Sequence, residues 1–225
     1  MFRAPSVVVS LIAILVAAHG ARAMVPPHIS TELIYQFGFI PARYSHAFLA
    51  AYNFDPGGWL AQAVPLVSYM ALHNDATHLI INSLWLLAFG PIVARRFGGF
   101  LFLLFFLICG VAGALTYLAF NWGSAAPVIG ASGAISGLMA AGLRLLPTQA
   151  PWAGAAEEKL APVFSRQIMI FTLIWMGINL AAGLTGLGVG GEAGLIAWQA
   201  HLGGYLAGLF LAGPFDRLRP RLNVI

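Results

Sequence analysis

The chain has 225 residues, 60% of them hydrophobic and 8% charged, with a formal net charge of +4. Its mean hydropathy is +0.86, and a soluble domain carries about a quarter of its residues as charges, so there is too little polar surface here to cover a water-soluble fold. The basic balance does not indicate a nucleic-acid binder, because Lys and Arg sit at the ends of apolar runs and do not interleave with aromatics on one stripe.

A helical crossing needs about 20 apolar residues. In chain order the sequence predicts six, over about 5–22, 76–94, 99–120, 128–146, 166–187 and 195–213. The runs VVVSLIAILVAA and FLFLLFFLICGVAGALTYLAF are continuous, whereas a membrane barrel needs alternating segments of about 10 residues. The expected class is therefore all-α: a polytopic six-helix membrane bundle, one domain over 1–225. The first segment has a rival reading, because its basic start, apolar stretch and Ala21-Arg22-Ala23 also spell a cleavable signal peptide.

Between the first two crossings, Pro26, Pro27, Pro41, Pro56, Gly57, Gly58 and Pro65 cut the 24–74 segment into apolar pieces too short to span. It reads as an outer interfacial loop with short, partly amphipathic helices. The single cysteine, Cys109, lies inside an apolar run, so neither an intrachain disulfide framework nor a cysteine metal cluster is available.

Charge sets the orientation. With a cytoplasmic N-terminus, Arg3, Arg95, Arg96, Arg144, Lys159, Arg166, Arg217, Arg219 and Arg221 fall inside, and only Arg22 and Arg43 fall outside. The outer face then holds the 24–74 loop, the connection from Asn121 to Pro127 and the Gly-rich stretch around Glu192. The expected location is a bacterial inner (cytoplasmic) membrane with both termini cytoplasmic.

A charge near mid-helix costs about 2.5 to 3.5 kcal/mol on insertion scales, so polar side chains within spans point to function. Four positions stand out. His78 and Asn82 share one face of the second span at i, i+4 spacing, Ser132 lies in PVIGASGAISGLMAAG, and His201 lies in WQAHLGGYLAGLF. Ser132 is expected a few residues into a helix entered from outside, and His201 about six residues into another entered from the same side. At 1.5 Å per residue both lie within about 10 Å of the outer surface, hence at one level.

For a hydroxyl and an imidazole to meet, the two backbones must approach closely, and small residues allow that. The fourth span offers Gly133 and Gly137 beside Ser132, Ser136 and Ala140; the sixth offers Ala200, Gly204, Gly208 and Ala212. Each feature has an ordinary reading when taken alone: such small-residue faces are common helix packing, and a buried Ser usually bonds to its own helix. Level depth, paired small faces and a separate His/Asn face together point to a nucleophile and its base.

These residues carry a family resemblance. Gly130-Ala131-Ser132-Gly133 is similar to the GxSG motif of rhomboid intramembrane proteases, Ala200-His201-Leu202-Gly203-Gly204 through Gly208 to their AHxxGxxxG motif, and His78 and Asn82 to the HxxxN of their second core helix. The order is the same, and the whole chain resembles the basic six-helix form, which favours an uncleaved first helix. The resemblance implies Ser132 as nucleophile and His201 as general base and then acid. It also implies the Ser132 backbone N–H, His78 and Asn82 as stabilisers of the oxyanion. It implies transmembrane protein substrates cut near the outer membrane face, in contact with the lipid bilayer, with no cofactor, metal or nucleic acid.

No Asp or Glu occurs near His201 in the sixth span, so a dyad is expected, with the ring oriented by packing and weaker partners. The chain departs from the family in having Ser136 where many members have Tyr, and Val93-Ala94-Arg95 where others have Glu. It also lacks the Trp-Arg pair of some first outer loops. These departures bear on substrate preference and stability, since both members of the pair remain.

The alternative is a catalytically silent rhomboid-like binding or chaperone protein, since a fold does not guarantee activity. A metal or ion transporter built on His73, His78 and His201 would lack intramembrane carboxylates, because Asp75 is at a helix margin and Glu192 in a loop. His73 is expected to be solvated in the outer interface, and Tyr205 to serve packing.

Overall fold

The computed structural model describes residues 4–146, 160–186 and 197–219. Arg3, Lys159, Glu192 and Arg221, residue 187 of the fifth expected crossing and residues 195–196 of the sixth lie outside the described residues. The chain runs through α1 (Ser6–Ala23), α2 (Pro27–Phe37), α3 (His46–Tyr52), α4 (Trp59–Ala63), α5 (Pro65–Ser68), α6 (Ala76–Phe97), α7 (Gly99–Phe120), α8 (Ser132–Leu145), α9 (Arg166–Thr185) and α10 (Trp198–Leu218). Among the described residues there is no strand, only one antiparallel bridge between Phe39 and Val128.

Helices α1, α6, α7 and α9 are each long and apolar enough to cross a membrane, by length and composition. Helix α8 is shorter, at 14 residues, and α10 is diluted by Gln199, His201 and its glycines. These six form an all-helical membrane bundle. Local signals set their ends. Asp75 caps α6 by accepting from His78 N–H at 2.8 Å, which satisfies one of the amides a helix start leaves unpaired. Gly98 alone separates α6 from α7, at φ +81°, a conformation that favours glycine.

Helix α8 is the centre of the bundle, buried along almost its whole length and enclosed by α10, α7 and α6. Helix α1 packs on α6, where fully buried Val8 sits against Gly90. At the far end of α8, Arg144 donates to Leu209 O at 2.7 Å and to Ala161 O at 3.0 Å. The guanidinium thus fixes α8 against α10 and supplies positive charge at the helix C-terminus, where the dipole favours it.

The sixth helix runs past the expected end at 213, through Pro214 to Leu218. Tertiary contacts hold the turn that proline weakens. Phe215 packs between Phe97 and Phe105 at centroid distances of 5.9 and 5.0 Å, and Asp216 accepts from Arg96 at 2.6 and 3.1 Å.

Candidate active site

The fourth crossing, expected from about residue 128, begins as a helix only at Ser132. Residues ahead of it are held out of the helix by long-range pairing. Val128 and Phe39 exchange backbone hydrogen bonds at 2.8 and 3.0 Å, Gly130 donates its N–H to Tyr69 O at 2.9 Å, and Gly130 adopts φ +120°. Tyr69 is itself fixed, with its hydroxyl donating to Gly110 O at 2.8 Å. Ser132 is therefore the first residue of α8, where the first-turn amides have no intrahelical acceptor and the dipole is positive.

His201 is the fourth residue of α10, its N–H bonded to Ala197 O at 3.3 Å. Ser132 Oγ and His201 Nε2 lie 2.7 Å apart. Missing side chains make that approach possible. A Cβ on Gly204 would overlap the Gly133 carbonyl, one on Gly208 would overlap Gly137, and one on Gly137 would reach Gly204 O at 2.8 Å. Next to them, a Cβ on Gly133 would lie 3.3 Å from Ala200 O. The two backbones touch, and side chains at their edges meet.

His78 and Asn82 flank this pair without bonding to it directly. The His78 ring edge lies 2.8 Å from where a Cβ on Gly130 would stand, and Asn82 Nδ2 lies 3.7 Å from the same point. Asn82 is 3% exposed, and its Nδ2 has no hydrogen-bond partner. An unpaired buried donor costs about 1 to 3 kcal/mol, so the fold keeps an amide N–H₂ beside the start of α8 at the expense of stability. Ser136, one turn along, donates to Ser132 O at 2.8 Å.

Three features differ from the sequence expectations or were not foreseen. His73 is not solvated: it is fully buried, its ring 5.1 Å from that of His78. Arg22 from α1 donates to the carbonyls of His73 and Asn74, pulling this loop inward. Burial, with His78 alongside, holds the His73 imidazole neutral, down to about 4. Tyr205 is fully buried, and its hydroxyl pairs with Thr172 Oγ1 of α9 at 2.7 Å. The ring of His201 also has a partner that a search for carboxylates on α10 passes over: Asn179 Oδ1 lies 2.5 Å from Nδ1. The available signal was a lone amide in the apolar run of α9.

Fold and site define a polytopic helical membrane protein with a serine–histidine pair bridging two helices. Residues 60–216 match the Rhomboid domain, and the chain belongs to the rhomboid family. It is similar to the rhomboid protease GluP of Bacillus subtilis (strain 168), 31% identical over 156 residues, covering 69% of this chain and 26% of the relative. It is also similar to the mitochondrial RHOMBOID-like protein 6 of Arabidopsis thaliana, 33% identical over 149 residues, covering 65% of this chain and 41% of the relative. The chain thus spans less than half the length of each of these curated relatives.

Proposed function

We propose that this chain is an intramembrane serine endopeptidase that cleaves transmembrane proteins near the outer membrane face. The observation carrying the reading is the 2.7 Å separation of Ser132 Oγ and His201 Nε2 between two membrane helices, the geometry a nucleophile and its base require. Family membership and the protease-named relative support it.

In this mechanism Nε2 takes the Ser132 proton as Oγ bonds to the scissile carbonyl carbon, and the carbonyl π pair moves onto oxygen. The Ser132 backbone N–H at the start of α8 stabilises that oxyanion, joined by the unpaired amide of Asn82 and by His78. Collapse breaks the C–N bond, and the departing amine takes the proton from Nε2. Water then hydrolyses the acyl ester by the same route, with His201 again as base. A substrate helix must open for its carbonyl to reach Oγ, so small, helix-destabilising residues at the cut are favoured.

The 24–74 segment serves as the outer interfacial loop of a single membrane domain, in a bacterial inner membrane with both termini cytoplasmic. The positive-inside distribution of nine of the eleven Lys and Arg residues supports that orientation. Ser132→Ala and His201→Ala are each expected to abolish cleavage of a single-span reporter at unchanged expression. A fluorophosphonate probe is expected to label the parent chain and not Ser132→Ala. Cleavage by Ser132→Ala would remove Ser132 as nucleophile, and a parent that neither cleaves nor labels would favour a non-proteolytic binding role.

A further inference from the structure

Asn179 is an unusual residue for its surroundings. Of the twenty residues of α9, only Ile168 and Asn179 are buried, while Leu173, Ile174 and Ile178 are largely exposed along the apolar helix. An amide in such a setting is costly unless both of its ends are bonded. Both are. Nδ2 donates to Trp175 O one turn back at 2.8 Å, and Oδ1 faces His201 Nδ1 at 2.5 Å.

The Trp175 carbonyl decides the chemistry. A backbone oxygen only accepts, so the amide N–H₂ must face it, and the amide oxygen must then face the imidazole. An oxygen facing Nδ1 demands Nδ1–H, and a neutral ring protonated at Nδ1 has a bare lone pair at Nε2, the atom 2.7 Å from Ser132 Oγ. In the opposite tautomer, Nε2 would carry a hydrogen and could not take the serine proton. When a triad aspartate is replaced by asparagine, activity falls because the amide holds the wrong tautomer. Here the bond to Trp175 turns the amide the other way.

We propose that Asn179 is a positioning residue for the serine–histidine pair, holding His201 in the Nδ1–H tautomer with Nε2 aimed at Ser132, so that the pair works as a Ser-His-Asn relay across α8, α10 and α9. The inference rests on the hydrolase reading for its catalytic consequence, but not for the tautomer itself. An amide is the suitable third member within an apolar helix, because it accepts the Nδ1 hydrogen without the cost of burying a carboxylate. It also stabilises the imidazolium of the transition state less than a carboxylate does, which predicts a distinctive response to Asn179→Asp.

The test uses the full chain in lipid or detergent with a single-span reporter. Asn179→Leu, similar in volume and unable to bond, is expected to lower kcat by about 10- to 100-fold, part of the contribution of a general base. KM is expected to change less than about twofold, with fluorophosphonate labelling of Ser132 slowed in parallel. Asn179→Asp also accepts from Nδ1–H but turns a second acceptor oxygen to the Trp175 carbonyl, and is expected to recover only part of the lost kcat. The acid limb of its kcat/KM profile should move to higher pH, because a carboxylate favours the imidazolium.

A readout independent of activity is the ¹⁵N spectrum of histidine-labelled protein, with His201 assigned by difference from His201→Gln. The parent is expected to show hydrogen on Nδ1 and a bare Nε2, and Asn179→Leu to lose that preference. Parent-like kcat in Asn179→Leu, or the same tautomer with and without the amide, would each overturn the proposal. A parent that neither labels nor cleaves but shows the Asn179-dependent tautomer would sink the hydrolase reading alone.

Discussion

Two helices bring groups to His201 by opposite means. The α8–α10 contact is made by backbone, through Gly133, Gly137, Gly204 and Gly208, with α8 buried almost end to end. Helix α9 instead reaches α10 by individual side chains, Asn179 to the His201 ring and Thr172 to the Tyr205 hydroxyl, while most of its surface faces outward. Backbone contact leaves no freedom, since no rotamer can absorb an added atom. Side-chain contact is specific but removable one bond at a time. The geometry of Ser132 and His201 is therefore expected to be intolerant of added volume on α10 and graded in response to losses on α9.

The largest combined effect on activity and stability expected from breaking this contrast is at Gly204. Gly204→Val places branched carbon against the Gly133 carbonyl, and displacement by about 1 Å suffices to cost about 100-fold in rate. Reporter cleavage and probe labelling are expected to fall together by at least about that factor, with a lower thermal midpoint. Retained labelling would show that the helices separate without disturbing the pair.

Asn82→Leu is expected to be milder than loss of Ser132. On the proposed role of Asn82, its loss removes an oxyanion donor, which costs about 2.7 to 4 kcal/mol, or roughly 100- to 1000-fold in kcat, and because the lost N–H₂ was buried and unpaired, thermal stability is expected to hold or rise. A large fall in stability would instead make Asn82 a structural residue. The smallest effect is reserved for α9. Tyr205→Phe deletes the bond to Thr172 and nothing else, and is expected to cost about 1 kcal/mol in denaturant unfolding, with cleavage reduced only as far as Asn179 loosens its hold on His201.

Much of this was legible in the sequence, and the reasons for the exceptions are physical. Long apolar runs mark crossings because bilayer thickness fixes their length, and α1, α6, α7 and α9 lie close to their expected bounds. The sequence pattern places the start of α8 about four residues early, because what holds 128–131 out of the helix is a pairing with Phe39 and Tyr69, far away in the chain. The burial of His73 has the same origin, an Arg22 contact across 51 positions. Pro214 reads locally as a stop, and only Arg96 and the aromatic cluster around Phe215 explain why α10 continues. Asn179 was visible as a polar residue in an apolar run, but its partner lies 22 residues on, in another helix. The small-residue faces were legible because close approach needs absent side chains, and absence is written in the sequence as plainly as presence.

The hydroxyl of Ser132 and the imidazole of His201 are separated by 69 positions, with α9 and the stretch before α10 in between. At a synthesis rate of about 5–20 residues per second, roughly 3 to 14 s pass between making the serine and making the histidine. Until α10 has been threaded beside α8, the hydroxyl is an ordinary alcohol. On the proposed hydrolase reading, a nascent chain of this design is inert until α10 is in place.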